Sequence, residues 1–163
     1  MTLSSDSTLE EAVLALAERR PLLRARDLAE QALPTVVLSR LVTAGKLERV
    51  ARGVYSLPGN ALSEHRSPAE VALRVPRGVV CPLSALRVHG IGTQAPFGVW
   101  TAIRHHSPTP RLDQPALRVV RMSGTALTEG IEPVEIDSVQ VQVFNAAKTV
   151  ADCFKYRNKI GLD

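Results

Sequence analysis

Residues 33–59 carry a dense run of structural punctuation, and it constrains the fold more than any bulk property. Leu33-Pro34 breaks the preceding segment, and a proline with preset φ suits a first helical turn, so a helix is expected to start near Pro34. Leu38, Leu41 and Val42 recur at helical spacing, and Ala44-Gly45 stops the run because glycine tolerates the left-handed conformation that ends helices. Two β-type segments follow, residues 47–50 and 54–57, on either side of Ala51-Arg52-Gly53, a turn whose glycine can take positive φ. A hairpin placed directly after such a helix reads as a wing.

The residues before it complete the pattern. Ser7-Thr8-Leu9-Glu10 has capping-box spacing, and Leu9, Val13, Leu16 and Ala17 then recur helically until Arg19-Arg20-Pro21. After a short Pro21-Leu22-Leu23 connection, residues 24–31 read as a second, shorter helix with Ala25, Leu28 and Ala29 as its apolar positions. Two short helices joined by a tight turn make a helix-turn-helix unit, so residues 1–60 are expected to form a winged helix-turn-helix.

A length of 163 residues suits two small domains. Residues 58–62 have linker composition, and Ser67-Pro68-Ala69-Glu70 combines a capping box with proline at the first helical position. Helices are expected over residues 68–75 and 82–89, with strands at 79–81, 98–104, 117–122, 131–136 and 139–144, the last two turning at Asp137-Ser138. Val139-Gln140-Val141-Gln142-Val143 alternates strictly, which buries one face and wets the other. Asn145 then caps a helix through Val150, Cys153 and Phe154. The fold class is α+β: a winged helix-turn-helix over 1–60, then a small mixed α+β domain over 61–163 with a mainly antiparallel sheet.

The net charge of +4 fits an anionic partner without requiring one, but its distribution is more specific. Residues 19–52 hold eight bases against three acids, whereas residues 1–18 hold four acids and no base. In a helix-turn-helix the second helix of the unit enters the major groove. If Leu38, Leu41 and Val42 face the core, then Thr35, Val36, Ser39, Arg40 and Thr43 face solvent. Arg40 has the fork geometry for guanine O6 and N7, a contact that discriminates by about 1 to 3 kcal/mol, while Thr35, Ser39 and Thr43 suit phosphates or a thymine methyl. Lys46, Arg49 and Arg52 follow at the wing, and Arg24 and Arg26 open the second helix, where they can contact backbone phosphates. The expected partner is double-stranded DNA carrying an inverted repeat, bound by two copies. The alternative is a protein-interaction module whose winged helix packs against a partner through an apolar patch at Val36 and Val37.

Other chemistry finds little support. With 45% hydrophobic residues the chain reads as globular, and it lacks the roughly 18 consecutive apolar residues of a membrane helix. Residues 1–7 do not resemble a signal peptide, so a cytoplasmic location is expected. Cys81 and Cys153 are outside any CxxC pair and read as buried thiols. Adjacent His105-His106 cannot share a face on a regular strand, so no metal or other cofactor is expected. Ser84 and His89 diverge on a short helix with no carboxylate to orient them, and Lys148 and Asp152 read as a surface ion pair one helical turn apart. There is no Glu-x-Lys and no phosphate-binding glycine loop, and a non-enzyme is expected.

Three segments carry a resemblance. Gly45-Lys46-Leu47-Glu48-Arg49-Val50-Ala51-Arg52-Gly53-Val54-Tyr55, Pro82-Leu83-Ser84-Ala85-Leu86-Arg87-Val88-His89-Gly90-Ile91-Gly92-Thr93-Gln94 and Ala147-Lys148-Thr149-Val150-Ala151-Asp152-Cys153-Phe154-Lys155-Tyr156-Arg157 resemble the AbiEi-like antitoxins of bacterial type IV toxin–antitoxin systems. The resemblance implies a transcriptional regulator that represses its own operon through the N-terminal winged helix. It also implies a second domain that opposes a nucleotidyltransferase-like toxin without binding it stably. Where the family continues into further helices, this chain stops at Lys159-Ile160-Gly161-Leu162-Asp163, so it reads as shortened at its C-terminus.

Overall fold

A computed structural model describes residues 3–60, 66–112 and 115–161. The chain divides into two compact units, Met1–Ser63 and Glu64–Asp163. Ala61 and Leu62 of the expected linker, His65, and the final Leu162 and Asp163 lie outside the described residues.

In the first unit, helix α1 spans Leu3–Arg19, so it begins before the expected cap at Ser7. Ser7 lies within the helix, and its hydroxyl donates to Glu11 Oε1 at 3.3 Å. Serine and threonine satisfy backbone groups at a cap and tolerate a first turn equally, so the four-residue pattern alone does not locate the start. Strand β1 (Leu23–Arg24) leads into α2 (Ala25–Glu30), α3 (Val36–Thr43), β2 (Glu48–Ala51) and β3 (Val54–Ser56). β1 corrects the expectation of a plain connection at Pro21-Leu22-Leu23. It pairs antiparallel with β3, setting Leu23 opposite Tyr55 and Arg24 opposite Val54, and the sheet order is β1-β3-β2. A two-residue strand has no periodicity to read, because only its distant partner defines it.

The helix stop and the hairpin turn both depend on glycine. Gly45 follows α3 with φ 70°, and Gly53 closes the β2–β3 turn with φ 74°, values that cost a residue bearing Cβ. Val13 and Ala17 of α1, Leu28 of α2, Leu38 and Leu41 of α3, and Leu23 and Leu47 form one buried cluster. Burying each such side chain contributes about 1.5 to 3 kcal/mol before the entropy of ordering is counted.

Among the described residues of this unit one charged group is buried. Asp27 is 2% exposed. Its Oδ1 lies 3.2 Å from Arg20 Nη1 and 2.7 Å from Arg24 Nη2, and its Oδ2 accepts the Arg24 backbone N–H at 2.8 Å. That N–H would otherwise be an orphan at the start of α2.

The second unit runs α4 (Arg66–Arg74), β4 (Val79–Val80), α5 (Leu83–Val88), β5 (Val99–Arg104), β6 (Leu117–Met122), α6 (Thr125–Thr128), β7 (Ile131–Ile136), β8 (Val139–Phe144), α7 (Ala146–Lys155) and α8 (Arg157–Ile160). α4 starts before Pro68, and the short α6 and α8 carried no sequence signal. Asn145 caps α7 by accepting from the Lys148 backbone N–H at 2.9 Å.

The sheet is mixed, which corrects the expectation of a mainly antiparallel one. Its order is β6-β5-β4-β8-β7, with β5–β6 and β4–β8 parallel and β4–β5 and β7–β8 antiparallel. The reason lies in the connections. Asp137 and Ser138 form a tight turn with φ of 49° and 64°, so β7 and β8 pair as a hairpin. Residues 105–116 are long enough for a crossover, and β6 returns alongside β5 in the same direction. Both faces are covered. Val71 and Val75 of α4 pack on Val99 and Ile103, while Ala126 and Leu127 of α6 and Tyr156 pack with Ala102, Val120 and Met122 on the other.

Cys81 and Cys153 are both buried and free. Burial raises both thiols above the ordinary range, and the neighbouring Asp152 charge adds to the rise. Lys148 Nζ lies 3.1 Å from Asp152 Oδ2, but the side chains are only 18% and 10% exposed, so the pair is not a surface one as expected. Lys148 also sits over the Phe144 ring, 4.4 Å from its centroid, and this shields the ammonium from water.

Replacing Asp27 by Ala should cost about 2 kcal/mol in urea unfolding, less than a fully buried pair because both arginines can regain water. Unchanged stability would show that the triad is dispensable. A raised pKa leaves less thiolate at a given pH, so at pH 8 iodoacetamide should alkylate the native thiols at least about tenfold more slowly than the unfolded ones. Equal rates would contradict their protection.

Candidate nucleic-acid interface

α3 has two chemically distinct faces. Val37, Leu38 and Leu41 are buried, and Thr35, Val36, Ser39, Arg40 and Thr43 are exposed. The 3.6-residue period separates them, and the five outward residues fall together as their spacing predicts. Val37 corrects one expectation, because it belongs to the core. The apolar patch considered for a protein partner therefore reduces to Val36, which is 56% exposed. Thr43 Oγ1 donates back to the Ser39 carbonyl at 3.0 Å, which holds its methyl in a defined direction.

The remaining bases divide into tethered and outward groups. Arg24 is the residue before α2, and Nε donates to Asp27 Oδ1 at 2.9 Å while Nη2 makes the ion pair already described. Its guanidinium is thus committed inside its own unit. Arg26 is exposed in the first turn of α2. Lys46 is exposed just after α3, Arg49 is exposed on β2 opposite Tyr55, and Arg52 is exposed in the hairpin turn. The ladder shifts register between Arg49 and Ala51, and a bulge of this kind twists a strand and re-aims its side chains. Arg52 occupies the turn itself, while Arg49 is set back along the strand.

The acids that face these bases were not identified from sequence. Asp6 Oδ2 lies 3.1 Å from Arg40 Nη1, and Glu10 Oε2 lies 3.2 Å from Lys46 Nζ. Both acids belong to α1, four residues apart and so on one helical face. The available signal was the segregation of charge itself, four acids and no base in residues 1–18 set before a basic stretch. Complementary charge of that kind is satisfied by packing the two segments together, as α1 and α3 do. Asp27 was likewise missed, although Arg24 and Asp27 stand at a helical i, i+3 spacing.

Elsewhere, Ser84 and His89 do not form a couple. Ser84 Oγ accepts the Trp100 backbone N–H at 2.9 Å, and His89 Nε2 lies 2.7 Å from the Phe144 carbonyl, to which it must donate. A carboxylate does reach His89, since Glu132 Oε1 is 3.7 Å from Nδ1. His105 and His106 lie in a turn beyond β5, not on a strand, and there their rings do meet, with centroids 4.8 Å apart at 78°. Among the described residues, no group of three His, Cys, Asp or Glu is placed to hold a metal, and no helix is long and apolar enough to cross a membrane.

Residues 11–58 match the model of a family described as "Transcriptional regulator, AbiEi antitoxin". The match is less than a third of the chain and covers α2, α3 and the hairpin. It contains the first of the three resembling segments, and the two in the second unit lie beyond it. No curated protein matches the chain.

The Asp6–Arg40 pair is half exposed and the Glu10–Lys46 pair, just beyond α3, partly so, and pairs open to water contribute little. The double variant Asp6→Asn with Glu10→Gln should therefore lose under about 1 kcal/mol of stability in urea. A larger loss would mean that the pairs anchor α1.

Proposed function

We propose that residues 1–60 are a winged helix-turn-helix that binds double-stranded DNA sequence-specifically, and that the chain represses its own toxin–antitoxin operon. One observation carries the reading. The outward face of α3 is short, polar and arginine-bearing, and it lies in the stretch that matches a transcriptional-regulator family. In this account α3 enters the major groove and Arg40 grips a guanine in bidentate fashion. Val36 is well exposed and can meet a thymine methyl, while Thr35, Ser39 and Thr43 contact phosphates or that methyl.

The β2–β3 hairpin acts as the wing. Arg52 at its turn and Arg49 behind it reach the adjacent minor groove or its flanking phosphates. Arg26 and Lys46 add phosphate contacts, which position the protein without reading bases. Arg24 is the weakest of the candidate contacts, since leaving Asp27 would take from a buried carboxylate one of its two guanidinium partners. Arg40 and Lys46 exchange Asp6 and Glu10 for DNA at small cost, because those pairs are exposed.

An inverted repeat in the promoter places two copies on the DNA as a homodimer or as adjacent monomers. The second unit serves as the antitoxin against a nucleotidyltransferase-like toxin, in the cytoplasm and without a cofactor or catalysis of its own. This follows from the resemblance of residues 82–94 and 147–157 and from nothing in the unit's geometry.

Fluorescence anisotropy on a duplex from the promoter of the chain's own gene tests the reading. Wild type should bind in the nanomolar range, with affinity falling steeply as salt rises. The triple variant Arg40→Ala, Arg49→Ala, Arg52→Ala should lose at least about a hundredfold in affinity, and Arg49→Ala alone should flatten the salt slope by about 1. Salt-independent binding, or a triple variant that binds like wild type, would overturn it.

A further inference from the structure

Between Glu70 and Glu129 the chain carries seven arginines, no lysine and a single carboxylate, Asp113. Much of this charge collects at one place. β5 and β6 run parallel, so their carboxyl ends, Arg104 and Met122, lie side by side. In open sheets with parallel strands, ligands bind outside such ends, because the loops that follow diverge and leave a crevice. Two adjoining grooves occur there and share Arg104, His106 and Leu127. One, of about 690 Å³, is also lined by Ser123, Gly124, Thr125 and Thr128; the other, of about 610 Å³, by Arg77. Among the described residues lining either groove there is no carboxylate.

The floor is held in place by a side chain outside it. Arg121 Nη1 donates to the carbonyls of His105 and Ser107 at 2.8 and 2.7 Å, and Nη2 donates to Thr109 Oγ1 at 2.8 Å. One guanidinium thus staples the loop after β5, and the His105 and His106 rings meet edge to face within it. Like charges set around a concavity repel, and the arrangement is stabilised when an anion enters. Arginine forks with hydroxyl and imidazole donors match phosphate oxygens. The volume of each groove is that of a small-molecule site.

We propose that the two grooves together bind a compact phosphate-bearing small molecule, an oligophosphate or nucleotide, seated at the shared Arg104 and His106 with Arg77 on one side and the hydroxyls of Ser123 and Thr125 on the other. The site lies wholly in the second unit and does not depend on the DNA-binding reading of the first.

Calorimetric titration of the full chain with inorganic tripolyphosphate is the test. Saturable binding with one site per chain is expected, weakened at least about tenfold in Arg104→Gln with His106→Gln, both exposed positions. Arg118→Gln, exposed on β6 and outside both grooves, should change the affinity by less than about twofold. Arg121→Gln should weaken binding without touching the ligand, while its circular dichroism stays native. Failure of wild type to saturate would overturn the proposal, as would an Arg118→Gln loss equal to that of the double variant, which means diffuse attraction only. Loss of duplex affinity in the double variant with tripolyphosphate binding unchanged would overturn it in favour of a nucleic-acid surface.

Discussion

The Asp27 carboxylate is almost wholly removed from water and is met there by Arg20, by the Arg24 guanidinium and by the Arg24 backbone N–H. Burying a carboxylate is unfavourable unless donors surround it, so these partners must assemble when the unit folds. Arg20 follows directly after α1, and Arg24 ends β1 and precedes α2. Next to this junction the Ala25 N–H donates to the Gly53 carbonyl at 3.1 Å, which joins the start of α2 to the turn of the hairpin. α2 in turn presents Leu28 to Leu38 and Leu41 of α3. The hairpin turn is thus tied to that junction, and α3 is seated on the same buried cluster and against α1.

Local grammar makes α3 and the hairpin legible in the amino-acid sequence. Pro34, Gly45 and Gly53 act within a few residues of themselves, and so does the spacing of Leu38, Leu41 and Val42. For the same reason the outward set on α3 could be named in full. Val37 is the exception, since a helix packed on two neighbours buries a wider stripe than a strict period assigns. β1 and the parallel pairing of β5 with β6 are defined by partners distant along the chain, and no local pattern encodes that choice. Asp27 reads as an ordinary first-turn acid because its burial comes from packing. Asp6 and Glu10 are visible only as one half of a charge asymmetry whose other half lies on and just after α3.

That asymmetry bears on how a basic face is kept in a folded chain. Asp6 and Glu10 of α1 offset the charges of Arg40 and Lys46 at small cost. Exposed pairs of this kind exchange readily with other partners. Arg24 illustrates the opposite case, where the partner is buried and exchange is expensive. Exposure of the acid, more than the identity of the base, separates the exposed Asp6–Arg40 pair from the buried Asp27–Arg24 pair.

The central claim is that the outward face of α3 reads base edges in the major groove, with Arg40 on a guanine. Dimethyl sulfate probing of the chain's own promoter measures this directly, because the reagent methylates guanine N7 in that groove. Wild type should protect one guanine in each half-site, and Arg40→Ala should restore methylation there while the rest of the footprint persists at higher protein concentration. Full guanine reactivity under saturating wild-type protein, or protection unchanged in Arg40→Ala, would contradict it.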